Sequence, residues 1–329
     1  MQGCIELLSC RLRRREANAG RKVPAPRCPL RKYADYVASY RLGEPGMITG
    51  DLIWLGNSLL QAVHPLDIAT CLERLGPERL QGRTSELYGN MSGPFGGWTA
   101  AVLMRAVMED PRRQGAPVAL TVNYCAAIAA GAFEISCRER RTGRSTQHWS
   151  LELTQGDRVA ATASVVCGAR RSVWSHHPAT RPDIAAPEAL TAWDVGNRNG
   201  WVARYEMRFA KGETNFEPRE PTDLRDPASL LWMRDRPERS LDFVSLAALS
   251  DAFIIRAFVV RGVGTAVGTI TLTTHFHTDG AGLAAHGSTY VLGHATAHTF
   301  SGGFADQTAQ LWGRDGLLAT STQVVWYRD

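Results

Sequence analysis

The stretch Gly97-Trp98-Thr99-Ala100-Ala101-Val102-Leu103-Met104-Arg105-Ala106-Val107-Met108-Glu109 carries a single charge before its last residue. An apolar run of this length with no polar stripe reads as a helix covered on most sides. It is entered through Asn90-Met91-Ser92-Gly93-Pro94-Phe95-Gly96-Gly97, and Asp110-Pro111 ends it. The alternating runs 118–125, 132–140, 146–155 and 159–167 follow as strands. Thr142-Gly143-Arg144 and Gln155-Gly156-Asp157 between them supply hairpin turns. Residues 66–75 read as a shorter helix ahead of this unit.

The order then repeats. Residues 241–261 read as a second apolar helix, followed by strands over 268–277, 284–292, 304–312 and 317–326 and a turn at Gly313-Arg314-Asp315-Gly316. Ala101-Val102-Leu103-Met104-Arg105-Ala106-Val107 mirrors Ala252-Phe253-Ile254-Ile255-Arg256-Ala257-Phe258. Likewise Gly156-Asp157-Arg158-Val159-Ala160-Ala161-Thr162 mirrors Arg314-Asp315-Gly316-Leu317-Leu318-Ala319-Thr320. Two copies at so long a period make a duplicated domain rather than a solenoid. A long apolar helix wrapped by an antiparallel sheet, twice in one chain, is an α+β double hotdog. The expected organisation is a basic extension over 1–48, an N-terminal hotdog domain over 49–170, a Pro- and Ala-rich linker over 171–200 and a C-terminal hotdog domain over 201–329.

The chain has 329 residues and a formal net charge of +5, and much of that charge is local. Arg11, Arg13, Arg14, Arg15, Arg21, Lys22, Arg27, Arg31 and Lys32 face only Glu6 and Glu16, and the rest is close to balanced. A nucleic-acid partner is therefore not expected of the folded part. The extension reads as a disordered tail or as the product of a start upstream of Met47, in preference to a transit peptide. No apolar run approaches the roughly 20 residues that span a bilayer, so no membrane span is expected. Seven cysteines without a CxxC pair argue against a zinc site and a secreted disulfide scaffold, and a reducing cytoplasm fits best.

Phe95-Gly96-Gly97, Leu249-Ser250-Asp251, Phe276-His277 and Ala319-Thr320-Ser321-Thr322-Gln323 together resemble the acyl-CoA thioesterase II family and its thioesterase-like relatives. The resemblance covers about residues 50–329. It implies hydrolysis of fatty acyl-CoA to fatty acid and CoA, with no cofactor, by a homo-oligomer. It also implies that Asp251, Thr269 and Gln323 hold the attacking water and that Phe95, Gly96, Gly97 and Trp98 bind substrate. The family commonly has Gln where this chain has Trp98, which is expected to reshape the acyl tunnel, and Arg-Pro where it has Thr278-Asp279. Residues 121–125 lack the His and Arg-Pro pattern often seen in the first half.

The residues themselves point the same way. A carboxylate among Leu246, Leu249, Phe253, Ile254 and Phe258 is costly to bury unless hydrogen-bonded or protonated. Its bland alternative is a helix cap at Ser250 or Asp251. The mirrored position in the first half is Ala100, and a cap would more readily recur in both copies. Gln323 can both donate to and accept from a water, against an outward-facing residue on an edge strand, and its mirror is read as Ser164. Thr269 opens a run of threonines, which suit any strand. Backbone N–H groups around Gly96 and Gly97 are expected to polarise the thioester carbonyl. His275, His277, His286, His294 and His298 fall on different strands without a carboxylate set, so no metal is expected. Gly89-Asn90-Met91-Ser92-Gly93 is not a nucleophile elbow. His64-Pro65-Leu66-Asp67 does not fit a hotdog hydratase. The rival from another class is a non-catalytic acyl- or CoA-binding hotdog protein.

Overall fold

The structure is a computed structural model and describes residues 63–213, 217, 220, 222–262 and 266–328. The basic extension lies outside them. The described residues from Ala69 onward form one compact unit, to which every described strand belongs.

The first half of that unit runs β1 (Glu73–Arg74), β2 (Arg79–Arg83), β3 (Gly89–Asn90), β4 (Gly93–Pro94), helix α1 (Gly96–Met108), β5 (Ala116–Tyr124), β6 (Ala132–Thr142), β7 (Thr146–Gln155) and β8 (Arg158–Gly168). Its second half runs β9 (Tyr205–Lys211), β10 (Ser229–Asp235), α2 (Phe243–Leu249), α3 (Arg256–Arg261), β11 (Ala266–Phe276), α4 (Gly280–His286), β12 (Val291–Thr296), β13 (Phe300–Ser301), β14 (Phe304–Trp312) and β15 (Leu317–Arg328). Among the described residues one antiparallel sheet takes the order β1-β2-β6-β7-β8-β5-β11-β15-β14-β12-β10-β9. Strands β5 and β11 join the two halves, with Thr271 opposite Asn123 and His275 opposite Ala119.

Helix α1 forms where the apolar run predicts it, and Ala100–Met104, Ala106 and Val107 have no exposed surface. Such a helix is stabilised by burial rather than by its ends: its first position is Gly96, and no side chain caps it. The sheet's inward face alternates along each strand. On β8 it is Ala161, Ala163, Val165 and Cys167, and on β15 Ala319, Ser321, Gln323 and Val325. Ser164 is exposed, so the residue that occupies Gln323's place in the first half is Val165.

Four further readings of the sequence are corrected. The helix expected over 66–75 stops at Ala69, and Glu73–Arg74 is a strand. The stretch 284–292 is not one strand. Asp279 accepts from the Gly282 N–H at 2.9 Å and caps helix α4, and the strand begins only at Val291. Cys137 and Cys167 are free and buried, whereas Cys71 is disulfide-bonded, a bond that the expectation of a reducing cytoplasm does not anticipate. The helix expected over 241–261 is broken into α2 and α3, with Asp251 in the gap.

Residues 171–200, largely irregular as expected of a linker, are nonetheless held down. Trp232 Nε1 donates to the Ala185 carbonyl at 2.9 Å. Arg208 donates to those of Pro187 and Leu190. Ile184 and Leu190 pack on a cluster of Trp232, Leu292 and Trp312.

Candidate active site

The break in the second central helix is built by both strands beneath it. Helix α2 starts with a capping box, Asp242 accepting from the Ser245 N–H at 2.8 Å while Ser245 Oγ accepts from the Asp242 N–H at 3.0 Å. Asp251 is therefore not the N-cap of α2, which Asp242 already starts. At the other end Ser250 Oγ donates to the Ala247 carbonyl at 2.7 Å and accepts from Thr274 Oγ1 of β11 at 2.8 Å. Ser321 Oγ of β15 donates to the Ser250 carbonyl at 3.0 Å. These buried hydroxyls satisfy polar groups that a continuing helix would otherwise use, so the chain turns at Ser250 and delivers Asp251 sideways.

Asp251 is 7% exposed. Gln323 Nε2 donates to its Oδ1 at 2.7 Å from β15, which is flanked by β11 and β14, so Gln323 sits on an interior strand and faces inward. The Gly97 N–H, at the start of α1, faces the same carboxylate and favours its ionised form. That N–H is thus engaged by Asp251. Burial pushes the carboxyl up to about 7, and the hydrogen bonds from Gln323 and Gly97 pull against it. The positive end of α1 also favours the ionised form. A carboxyl poised this way can carry or release a proton at neutral pH.

The two glycines make the approach possible. A Cβ on Gly96 would lie 2.7 Å from Asp251 Oδ2 and 3.3 Å from Tyr124 Oη, and one on Gly97 would lie 2.5 Å from the Ala248 carbonyl oxygen. Alanine at either position gains about 1 kcal/mol of helix propensity but meets overpacking worth about 1–3 kcal/mol. Gly97→Ala, which meets the Ala248 carbonyl oxygen as well as the Phe95 ring, is expected to lower the urea midpoint more than Gly96→Ala does. Equal midpoints for wild type and Gly97→Ala would show that the two helices have room to part.

Thr269 reaches the same face by a different device. On regular β11, Leu272, Thr274 and Phe276 point inward and odd-numbered residues point out. The register shifts between Thr269 and Thr271, so that Thr269 pairs with Val325 while Thr271 pairs with Val324. Cross-strand partners share a face, and Val325 is buried whereas Val324 is exposed. The bulge at Ile270 thus turns Thr269 to the side of Gln323, as bulges beside functional sites do. No side-chain hydrogen bond joins it to Asp251 or Gln323 among the described residues.

Phe95 stacks on Trp201, with ring centroids 4.4 Å apart and planes 9° from parallel, and meets Tyr205 edge-on. Trp98 is enclosed in the first half's core. It donates to the Ala69 carbonyl at 2.9 Å and packs edge-to-face on Phe133. On the β6–β7 hairpin Arg140 donates to Ser150 Oγ, and Arg138 pairs with Glu78 beside β2. Arg256 is buried and turned toward Gln307, Pro227 and Ser229.

Two phenols beside Asp251 carry no mark in the sequence. Tyr124, the last residue of β5, donates to the Gly96 carbonyl at 2.8 Å. Tyr205 has its hydroxyl buried with no hydrogen-bond partner among the described residues. Burial first, and the Asp251 charge as well, keep both well above a phenol's usual pKa. Each is brought to Asp251 only by the pairing of distant strands, which no local pattern announces. Among the described residues no group of three or more His, Cys, Asp or Glu is placed to hold a metal ion, and no helix is long and apolar enough to cross a membrane.

Comparison with known families bears on this architecture directly. The acyl-CoA thioesterase N-terminal domain matches residues 85–168, and the acyl-CoA thioesterase C-terminal domain matches residues 178–327. The chain belongs to the acyl-CoA thioesterase family. Among solved structures, a hot dog protein of unknown function from Alicyclobacillus acidocaldarius is 38% identical with a TM-score of 0.76, covering 81% of this chain and 99% of its own. An acyl-CoA thioesterase II from Mycobacterium marinum is 16% identical, with a TM-score of 0.62 and coverage of 80% and 98%. A tesB protein from Mycobacterium avium subspecies paratuberculosis is 18% identical, with a TM-score of 0.64 and the same coverage. At those identities the two mycobacterial structures speak for the double hotdog fold alone. Comparison with curated proteins gives no match. Within the family, this chain joins its two halves so that one supplies backbone and the other side chains around a single buried carboxylate.

Proposed function

We propose that this member of the acyl-CoA thioesterase family hydrolyses fatty acyl-CoA by direct attack of water, with Asp251 as general base. The observation that carries the reading is the Asp251 carboxyl, buried, poised near neutral pH and held by donors from both halves. Asp251 takes a proton from the water as its oxygen bonds to the thioester carbonyl carbon. The carbon–sulfur bond then breaks, the CoA sulfur takes the proton back from Asp251, and fatty acid and CoA leave. Gln323, and Thr269 turned inward by its bulge, hold the water in line, and no covalent acyl-enzyme is required. Support for a fatty acyl group comes from the apolar surroundings, including Leu249, Ala252, Phe253 and Leu272. On this reading the two hotdog domains meet at the β5–β11 seam.

The test is release of free CoA from acyl-CoAs of increasing chain length, followed against pH. A general base must be deprotonated, so kcat/KM is expected to rise about tenfold per pH unit at low pH and to level off above about 7. A profile flat from pH 5 to 8 would remove Asp251 from the role of base. Absence of release at every chain length from folded protein would leave an acyl-binding protein instead.

A further inference from the structure

We propose that Tyr124 is a positioning residue for this site, acting through the Gly96–Gly97 peptide group, whose carbonyl it binds and whose N–H faces Asp251. The inference rests on the proposed role of Asp251 and extends it to a residue of the first half. The carbonyl of Gly96 and the N–H of Gly97 belong to one planar unit. A donor on its oxygen draws electron density across the unit and makes its N–H a stronger donor, and it also fixes the unit's rotation. Tyr124 Oη supplies that donor at 2.8 Å, and the Gly97 N–H passes the effect to the carboxylate. The three groups converge on one point: an ideal Cβ on Gly96 would touch both Asp251 Oδ2 and Tyr124 Oη.

The phenol suits this task and no other at the site. Its single proton is committed to the Gly96 oxygen, so it has none left to give to substrate. Its raised pKa keeps that proton in place throughout the working range. The titratable groups facing Asp251 are Tyr124 from β5 and Tyr205 from β9, with Asp235 and Arg239 beyond Tyr205. Arg256, five residues along the chain, faces away. Tyr124 is the one that also touches the peptide donating to Asp251.

The experiment compares wild type, Tyr124→Phe, Asp251→Asn and the double variant by two readouts against pH. One is kcat/KM for acyl-CoA hydrolysis; the other is the urea midpoint, which senses ionisation of Asp251 whether or not the protein turns over. In Tyr124→Phe the weakened Gly97 donor is expected to move the Asp251 titration up by about half to one pH unit. At pH 6 this lowers kcat/KM about three- to tenfold, with KM unchanged and a smaller loss on the alkaline plateau. In the Asp251→Asn background the same substitution is expected to leave the pH dependence of the urea midpoint unchanged. A Tyr124→Phe protein whose Asp251 titrates as in wild type, or a shift that persists without Asp251, overturns the proposal. If no acyl-CoA is cleaved yet the urea midpoint shifts as stated, the positioning role stands and only the catalytic reading falls.

Discussion

Asp251→Asn is expected to lower kcat/KM for acyl-CoA hydrolysis by about a hundredfold or more, the usual worth of a positioned general base, while the protein remains folded. Asparagine keeps the shape and can still accept from Gln323, but it cannot take a proton from water. The same substitution has a second consequence of opposite sign. The folded carboxyl titrates near 7 against an ordinary 3.8, so the folded state favours the protonated form. That contribution to stability is complete below about pH 4 and is lost as the pH rises through 7. Leaving a charge in this setting costs on the order of 4 kcal/mol above neutrality. The asparagine variant carries no such charge, so its urea midpoint relative to wild type is expected to climb between pH 5 and pH 8. Activity intact in the variant would place the chemistry elsewhere. A stability difference that stays constant with pH would show that Asp251 is solvated like any surface carboxylate.

Trp98→Ala is expected to destabilise the fold by about 3–5 kcal/mol, the range for emptying the site of a fully buried Trp or Phe. The loss combines the cavity beside Phe133 with an Ala69 carbonyl deprived of its 2.9 Å donor. Against the roughly 5–15 kcal/mol that holds a typical domain together, this is a large fraction. The expected readout is a urea midpoint far below wild type and an acyl-chain preference that does not change, because Trp98 faces the core of the first half. Unchanged stability with a preference shifted to longer chains would return Trp98 to the acyl path that the resemblance implied.

Much of the fold could be read from hydrophobic period alone. Helix α1 and the hairpins β6–β7 and β7–β8 each carry their pattern and their turns within a few residues. So does the final β14–β15 hairpin, with Gly313 to Gly316 at its turn. What could not be read was set from a distance. Residues 252–255 are as apolar as a helix interior. The helix breaks before them because Thr274, Ser321 and Gln323 press hydroxyls and an amide against Ser250 and Asp251 from strands that arrive later in the chain. Strand β9 and strand β10 lie in a charged, proline-containing stretch whose alternation is too brief to stand out. The helix over Gly280–His286 did have a local sign, Asp279 at its cap, which the alternating apolar residues masked. In the site, residue type made Asp251 and Gln323 conspicuous. Thr269 faces them only through a bulge, and Tyr124 only through the meeting of β5 with the turn before α1, neither of which has a local mark.

The junction of β5 with β11 gives the two copies unequal freedom to change. Around Asp251 the first copy offers an N–H, a carbonyl and two absent side chains, whereas the second offers a carboxylate and an amide. Drift in the first copy is therefore limited there by volume: any residue that fits serves, and at Gly96 and Gly97 only glycine fits. On the proposed mechanism drift in the second is limited by chemistry, since a residue of equal size without the same donors and acceptors would end the function. Neither copy, expressed alone, holds enough of the site to recover it.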